Sequence, residues 1–88
     1  MADLHKLNMA QIRVLQALVG CGGWMPPRAI ADAVIERTSW HSMPGPSSKA
    51  ARALVDRGLA TVRLGYGDDV DQFRATAAGR RWIRTVRM

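Results

Sequence analysis

Eighty-eight residues make one domain, and a chain this short buries only about 60–65% of the surface its unfolded form exposes, so a small core must hold the fold. With 48% hydrophobic and 23% charged residues the composition is that of a globular protein, and nothing suggests disorder along most of the length. No apolar run approaches the roughly 20 residues of a membrane helix, and no basic-then-apolar signal peptide opens the sequence, so a cytoplasmic protein is expected. The net charge of +6 and pI of about 11.1 divide unevenly, +1 over residues 1–46 and +5 over residues 47–88; that excess favours a polyanionic partner, with plain solubility as the alternative reading.

Residues 1–7 read as a leader, and a single domain is expected from 8 to 88. Asn8 and Gln11 have the spacing of a capping box, which starts a first helix at Met9. Ile12, Leu15, Leu18 and Val19 recur at helical spacing with Val14 beside them, and Gly20-Cys21-Gly22-Gly23 stops the run. Cys21, the only cysteine, reads as a small buried hydrophobe. Trp24-Met25 is a brief extended piece, with Trp24 expected as a lid on the core, a ligand platform being the alternative. Pro26-Pro27 then opens a second helix carrying Ile30, Ala33 and Val34 on one face.

An extended loop is expected over 35–46. Pro44-Gly45-Pro46 is turn chemistry, and Trp40 and His41 sit mid-loop, either folded back and solvated respectively or in contact with a partner. A third helix follows over 47–57, with Ser47 or Ser48 as its cap, an apolar stripe of Ala51, Leu54 and Val55, and Gly58 as a left-handed stop. Ser48, Lys49 and Arg52 lie on another face. Leu59 re-enters the core. Residues 60–75 alternate as two strands around Gly65-Tyr66-Gly67-Asp68-Asp69, a hairpin with Phe73 as its large apolar residue. Thr76 can cap a last helix, 77–87, with Trp82, Ile83 and Val86 inward and Arg80, Arg81, Arg84 and Arg87 in water. The class is mainly α with a small β-hairpin, an α+β fold.

Three stretches carry a resemblance. Pro27-Arg28-Ala29-Ile30-Ala31-Asp32-Ala33-Val34 resembles the supporting helix of a winged helix-turn-helix domain. Ala53-Leu54-Val55-Asp56-Arg57-Gly58-Leu59-Ala60 resembles the end of its recognition helix. Phe73-Arg74-Ala75-Thr76-Ala77-Ala78-Gly79-Arg80 resembles the exit from the wing into the closing helix of MarR-like and PadR-like transcriptional regulators. The three stretches are short, and the resemblance in the order of elements extends over roughly residues 8–83. The resemblance implies a three-helix core plus wing and C-terminal helix. It further implies a small sequence-specific double-stranded DNA-binding protein, with helix 47–57 in the major groove.

On that reading Ser48, Lys49 and Arg52 reach bases or phosphates, Arg52 being suited to a bidentate guanine contact. Ser47 and the free N–H groups of its turn would hold a phosphate. Arg28 would grip the backbone, Arg63 and Arg74 lie on the wing, and Tyr66 would meet a sugar or the minor groove. The chain departs from the pattern in its long loop, in Asp68, Asp69 and Asp71 at the wing, which repel phosphate unless paired with Arg63 or Arg74, and in lacking long flanking dimerisation helices. A monomer or weak homodimer is expected. The competing reading is a protein-docking module that uses loop 35–46, through Trp40 and His41, or the wing tip, through Asp68 and Asp69. Neither reading calls for an enzyme, a cofactor or a metal: Glu36 is the only glutamate, His5 and His41 the only histidines, and no Cys/His set has ligand spacing.

Overall fold

The computed structural model describes residues 7–37, 47–65 and 70–85. The elements run α1 (Met9–Cys21), α2 (Pro27–Arg37), α3 (Ser47–Asp56), β1 (Ala60–Arg63), β2 (Gln72–Ala75) and α4 (Ala77–Thr85). The fold is therefore mainly helical with one small antiparallel sheet.

Local chemistry accounts for the boundaries. The Asn8 side chain accepts from the Gln11 N–H at 2.8 Å and the Gln11 side chain accepts from the Asn8 N–H at 3.1 Å, so the capping box forms in both directions. Helix α1 runs two residues beyond the glycine stop expected at 20, through Gly20 and Cys21, and ends where Gly22 turns left-handed at φ 74°. Cys21 is exposed, against expectation: Gly20, Cys21 and Gly22 form a last turn that projects past the elements packed on α1. The buried stripe is Val14, Leu15, Ala17 and Leu18, with Ile12 and Val19 only half-buried. It is centred on Val14 rather than beside it, because α1 is covered by α2 and α3 as well as by β2 and α4. Helix α2 likewise continues to Arg37, so the connection to α3 starts later than expected.

The sheet pairs Ala60 with Ala75, Thr61 with Arg74, Val62 with Phe73 and Arg63 with Gln72. Met25 adds a one-residue third strand: its N–H donates to the Phe73 carbonyl and the Phe73 N–H to its carbonyl, both at 2.8 Å. Side chains alternate across a strand, so Met25 and Phe73 share the inner face with Ala60, Val62 and Ala75. Phe73 is fully buried, with Leu15, Leu18, Ile30, Leu54, Val14 and Val34. Each such side chain contributes about 1.5–3 kcal/mol by leaving water. Among the described residues no helix is long and apolar enough to cross a membrane.

Helix α3 is pinned at both ends. At its start Ser47 is 7% exposed, and its hydroxyl donates to the Pro27 carbonyl at 2.7 Å. At its end Gly58, at φ 76°, closes a Schellman motif in which the Leu59 N–H reaches the Leu54 carbonyl (2.9 Å) and the Gly58 N–H reaches that of Val55 (3.0 Å). The helix thus stops at Asp56, with Arg57 in the turn. Thr76 then locks this turn to α4. Its hydroxyl donates to the Gly58 carbonyl (2.8 Å) and accepts the Gly79 N–H (3.1 Å), while its own N–H donates to the Leu59 carbonyl (3.1 Å).

Gly79 is set by the same contact. A Cβ there would lie 2.1 Å from the Leu59 carbonyl oxygen, a backbone atom that has no room to retreat. Gly79→Ala should therefore destabilise the protein by about 2 kcal/mol or more. Gly23→Ala, with nothing within 4 Å of the new methyl, should stay within about 0.5 kcal/mol of the parent. Urea titrations report this as a lower midpoint for the first variant alone, with unchanged slope.

Candidate nucleic-acid interface

With its apolar side on the core, α3 leaves Ser48 half-buried and Lys49, Arg52 and Asp56 exposed. Arg28, near the start of α2, is also exposed. Lys49 and Arg28 form no ion pair among the described residues. Ser47 is no part of this face. Its hydroxyl, expected to help hold a phosphate, is buried and donates to the Pro27 carbonyl.

Arg52 does not project freely into solvent. Its Nη2 meets the Asp71 Oδ2 at 2.5 Å, and its guanidinium carbon lies 5.7 Å from the centroid of the Phe73 ring. The side chain is still 55% exposed. The expected guanine reader is therefore joined to the hairpin. Asp71 was expected to repel phosphate unless Arg63 or Arg74 neutralised it, and its partner is instead Arg52, across the junction of helix and hairpin. The other Asp71 oxygen accepts the Gly65 N–H at 3.0 Å, so one carboxylate ties the two sides of the hairpin to α3.

Arg63 and Arg74 are engaged elsewhere. Their guanidinium carbons lie 4.8 and 4.9 Å from the centroid of the Trp24 ring, and Arg63 also donates to the Gln72 side chain. Trp24 is half-buried and stands outside the core cluster, so it is not the lid it was expected to be. Strand parity gives the reason. Met25 points inward with Phe73, so its neighbour Trp24 must point outward, beside Arg74 and Gln72. The extended Trp24-Met25 pair already carried that signal, because the two residues cannot both face the core. The lid for α4 is instead Trp82.

Trp40 and His41, in the connection before α3, and Tyr66, Asp68 and Asp69, at the hairpin tip, lie outside the described residues, as do Val86 and Arg87. Arg80, Arg81 and Arg84 are exposed on α4. Away from these surfaces, α1 and α4 flank a shallow recess of about 450 Å³ lined by Arg13, Gln16, Val19, Gly20 and Ile83. There the Arg13 guanidinium donates to the Gln16 side chain at 3.2 Å. No group of three or more His, Cys, Asp or Glu residues is placed to hold a metal ion among the described residues. No family model matches the chain, and no curated protein matches it.

The Gly65 N–H, and after it the Arg52 guanidinium, hold the Asp71 carboxyl below its ordinary value. A depressed folded-state pKa stabilises the protein above the unfolded value and ceases to do so as pH falls through the folded one. Asp71→Asn should therefore be less stable than the parent at neutral pH. The gap should close as acid protonates Asp71 in the parent. Urea midpoints of the two proteins, measured from pH 7 down to pH 2.5, check this.

Proposed function

We propose that the chain is a winged helix-turn-helix domain that binds double-stranded DNA and acts as a small transcriptional regulator, with α3 as the helix that enters the major groove. The observation that carries this reading is the mounting of α3. It is fixed at one end by Ser47 on Pro27 and at the other by Thr76 on Gly58, and it presents Ser48, Lys49 and Arg52 outward from the half of the chain that holds the charge excess. A rigidly held helix with a short polar and basic face suits base-edge contacts, since such contacts need side chains placed by a stiff support. Lys49 and Arg28, unpaired among the described residues, supply cations for phosphates. Arg52 would exchange its exposed pair with Asp71 for a nucleic-acid acceptor, and exposed ion pairs are worth only about 0–1 kcal/mol.

A second reading has its own support. Leu64 and Val70 are 63% and 56% exposed on the two sides of the hairpin tip, and large apolar residues there suit a protein-docking surface. The two readings differ in salt dependence. On the DNA reading, about five neutralised phosphates give a log–log slope of affinity against salt near −4.5. Docking through apolar residues gives a shallow slope. Lys49→Glu with Arg52→Glu should abolish binding to a labelled random-sequence duplex while far-UV circular dichroism stays at the parent's signal. A folded double variant that binds like the parent removes α3 from the role of reader.

A further inference from the structure

Arginines approach the hairpin from two sides, and strand parity separates them. Arg52 approaches it from α3 and lies over Phe73, whose side chain belongs to the inner face. Arg63, Gln72 and Arg74 belong to the outer face, with Trp24 beside them. On that outer face two guanidinium groups converge on one indole, each within 5 Å of its centroid. Neither is paired with a carboxylate among the described residues. The indole quadrupole attracts each cation without neutralising either charge. The result is a doubly positive patch that has no anionic partner among the described residues.

Both groups are also held near the ring. Arg63 is restrained twice, by the indole and by its hydrogen bond to the Gln72 side chain. Arg74 is restrained by the indole and has no hydrogen-bond acceptor in the protein among the described residues. A guanidinium carries its N–H donors around its planar edge. Packing against a ring therefore leaves that edge free for the paired hydrogen bonds that phosphate oxygens accept. Lysines in these positions would gain less from the ring and could not present such a fork.

We propose that Trp24, Arg63 and Arg74 form a phosphodiester-binding site on the outer face of the hairpin, in which Trp24 is a positioning residue that holds the two guanidinium forks toward a nucleic-acid backbone. The site rests on the DNA reading above for its ligand and adds to it a surface separate from α3. It binds phosphates without reading bases, so its contribution is the same for every sequence.

The test uses a short labelled duplex of random sequence, with anisotropy titrations at several salt concentrations. Arg63→Gln with Arg74→Gln should make the log–log slope shallower by about 1.8, the loss of two phosphate contacts. Trp24→Leu leaves the charge unchanged, so a purely electrostatic role for the arginines would leave the slope unchanged too. The positioning role instead predicts a slope shallower by about one and affinity at least ~5-fold weaker. Trp24→Phe keeps an aromatic face and should restore the parent's slope. Circular dichroism confirms that each variant is folded; should Trp24→Leu not fold, the arginine double variant and Trp24→Phe still decide. A parental slope in the arginine variant overturns the site, and a parental slope in folded Trp24→Leu overturns the role of Trp24. Loss of slope in Trp24→Phe equal to that of the arginine variant also overturns that role. If the parent itself fails to bind duplex at low salt, the DNA reading falls first. That outcome is distinct from a parent that binds, loses binding with Lys49→Glu and Arg52→Glu, and ignores changes at 24, 63 and 74.

Discussion

The close approach of α4 to the Leu59 carbonyl governs the placement of everything around α3. That one oxygen accepts the Thr76 N–H and lies where a side chain at position 79 would be. Only glycine permits the contact, so the start of α4 can sit directly on the turn that ends α3. The Gly58 turn, the base of the hairpin and the cap of α4 become a single hydrogen-bonded unit. Leu59 and Ala60 are buried by it, and the hairpin leaves the turn in a fixed direction. Had α4 stood a methyl group further out, the core under Leu59, Ala75 and Trp82 would open. In a chain this small there is little apolar surface elsewhere to offset that loss.

From this fixed base, the alternation of strand residues separates two electrostatic environments only one residue apart. Phe73 enters the core and offers its ring to Arg52, while Gln72 and Arg74 face outward with Trp24 and Arg63. The single carboxylate described at the hairpin, Asp71, serves the α3 side alone. Among the described residues the outer side is thus left with cations and an aromatic ring, and the inner side with a neutralised pair. A count of charges along the hairpin shows three acids beside two arginines and suggests a surface unsuited to phosphate. The three-dimensional division gives a different picture for Asp71, which is spent on α3.

Much of the fold was legible in the sequence because its signals are local. The Asn8–Gln11 box, Pro27 at a helix start, Gly58 at a helix end and Thr76 as a cap each specify a backbone geometry within four residues. Hydrophobic spacing then assigns the inner faces. What was not legible depends on where one element meets another. Ser47 has the chemistry of a cap, and its hydroxyl instead finds Pro27, twenty positions away in sequence. Cys21 falls on the buried side of α1 by periodicity, yet it lies beyond the length of helix that its neighbours cover. Arg52 points out of α3 by spacing, and only the return of the hairpin gives it Asp71. Trp24 could have been placed outward from strand parity alone, once Met25 was assigned to the core.

These contacts also bear on how the arginines could act. A free arginine on a surface loses up to about 2 kcal/mol of rotamer entropy when a ligand immobilises it. Arg63 and Arg74 lose much of that freedom on folding, against Trp24, so a phosphate meeting them would meet groups already in place. Arg52 is also ordered, but a competing carboxylate occupies it, and it must exchange one acceptor for another. The two sides of the hairpin would then respond differently to a nucleic acid. On the DNA reading the outer side would favour any backbone by a roughly constant amount. The α3 side would gain only where the new acceptor is better than Asp71, as a well-placed base edge would be. On the DNA reading, the acidic hairpin is thus compatible with binding and sharpens the distinction between positioning contacts and reading contacts.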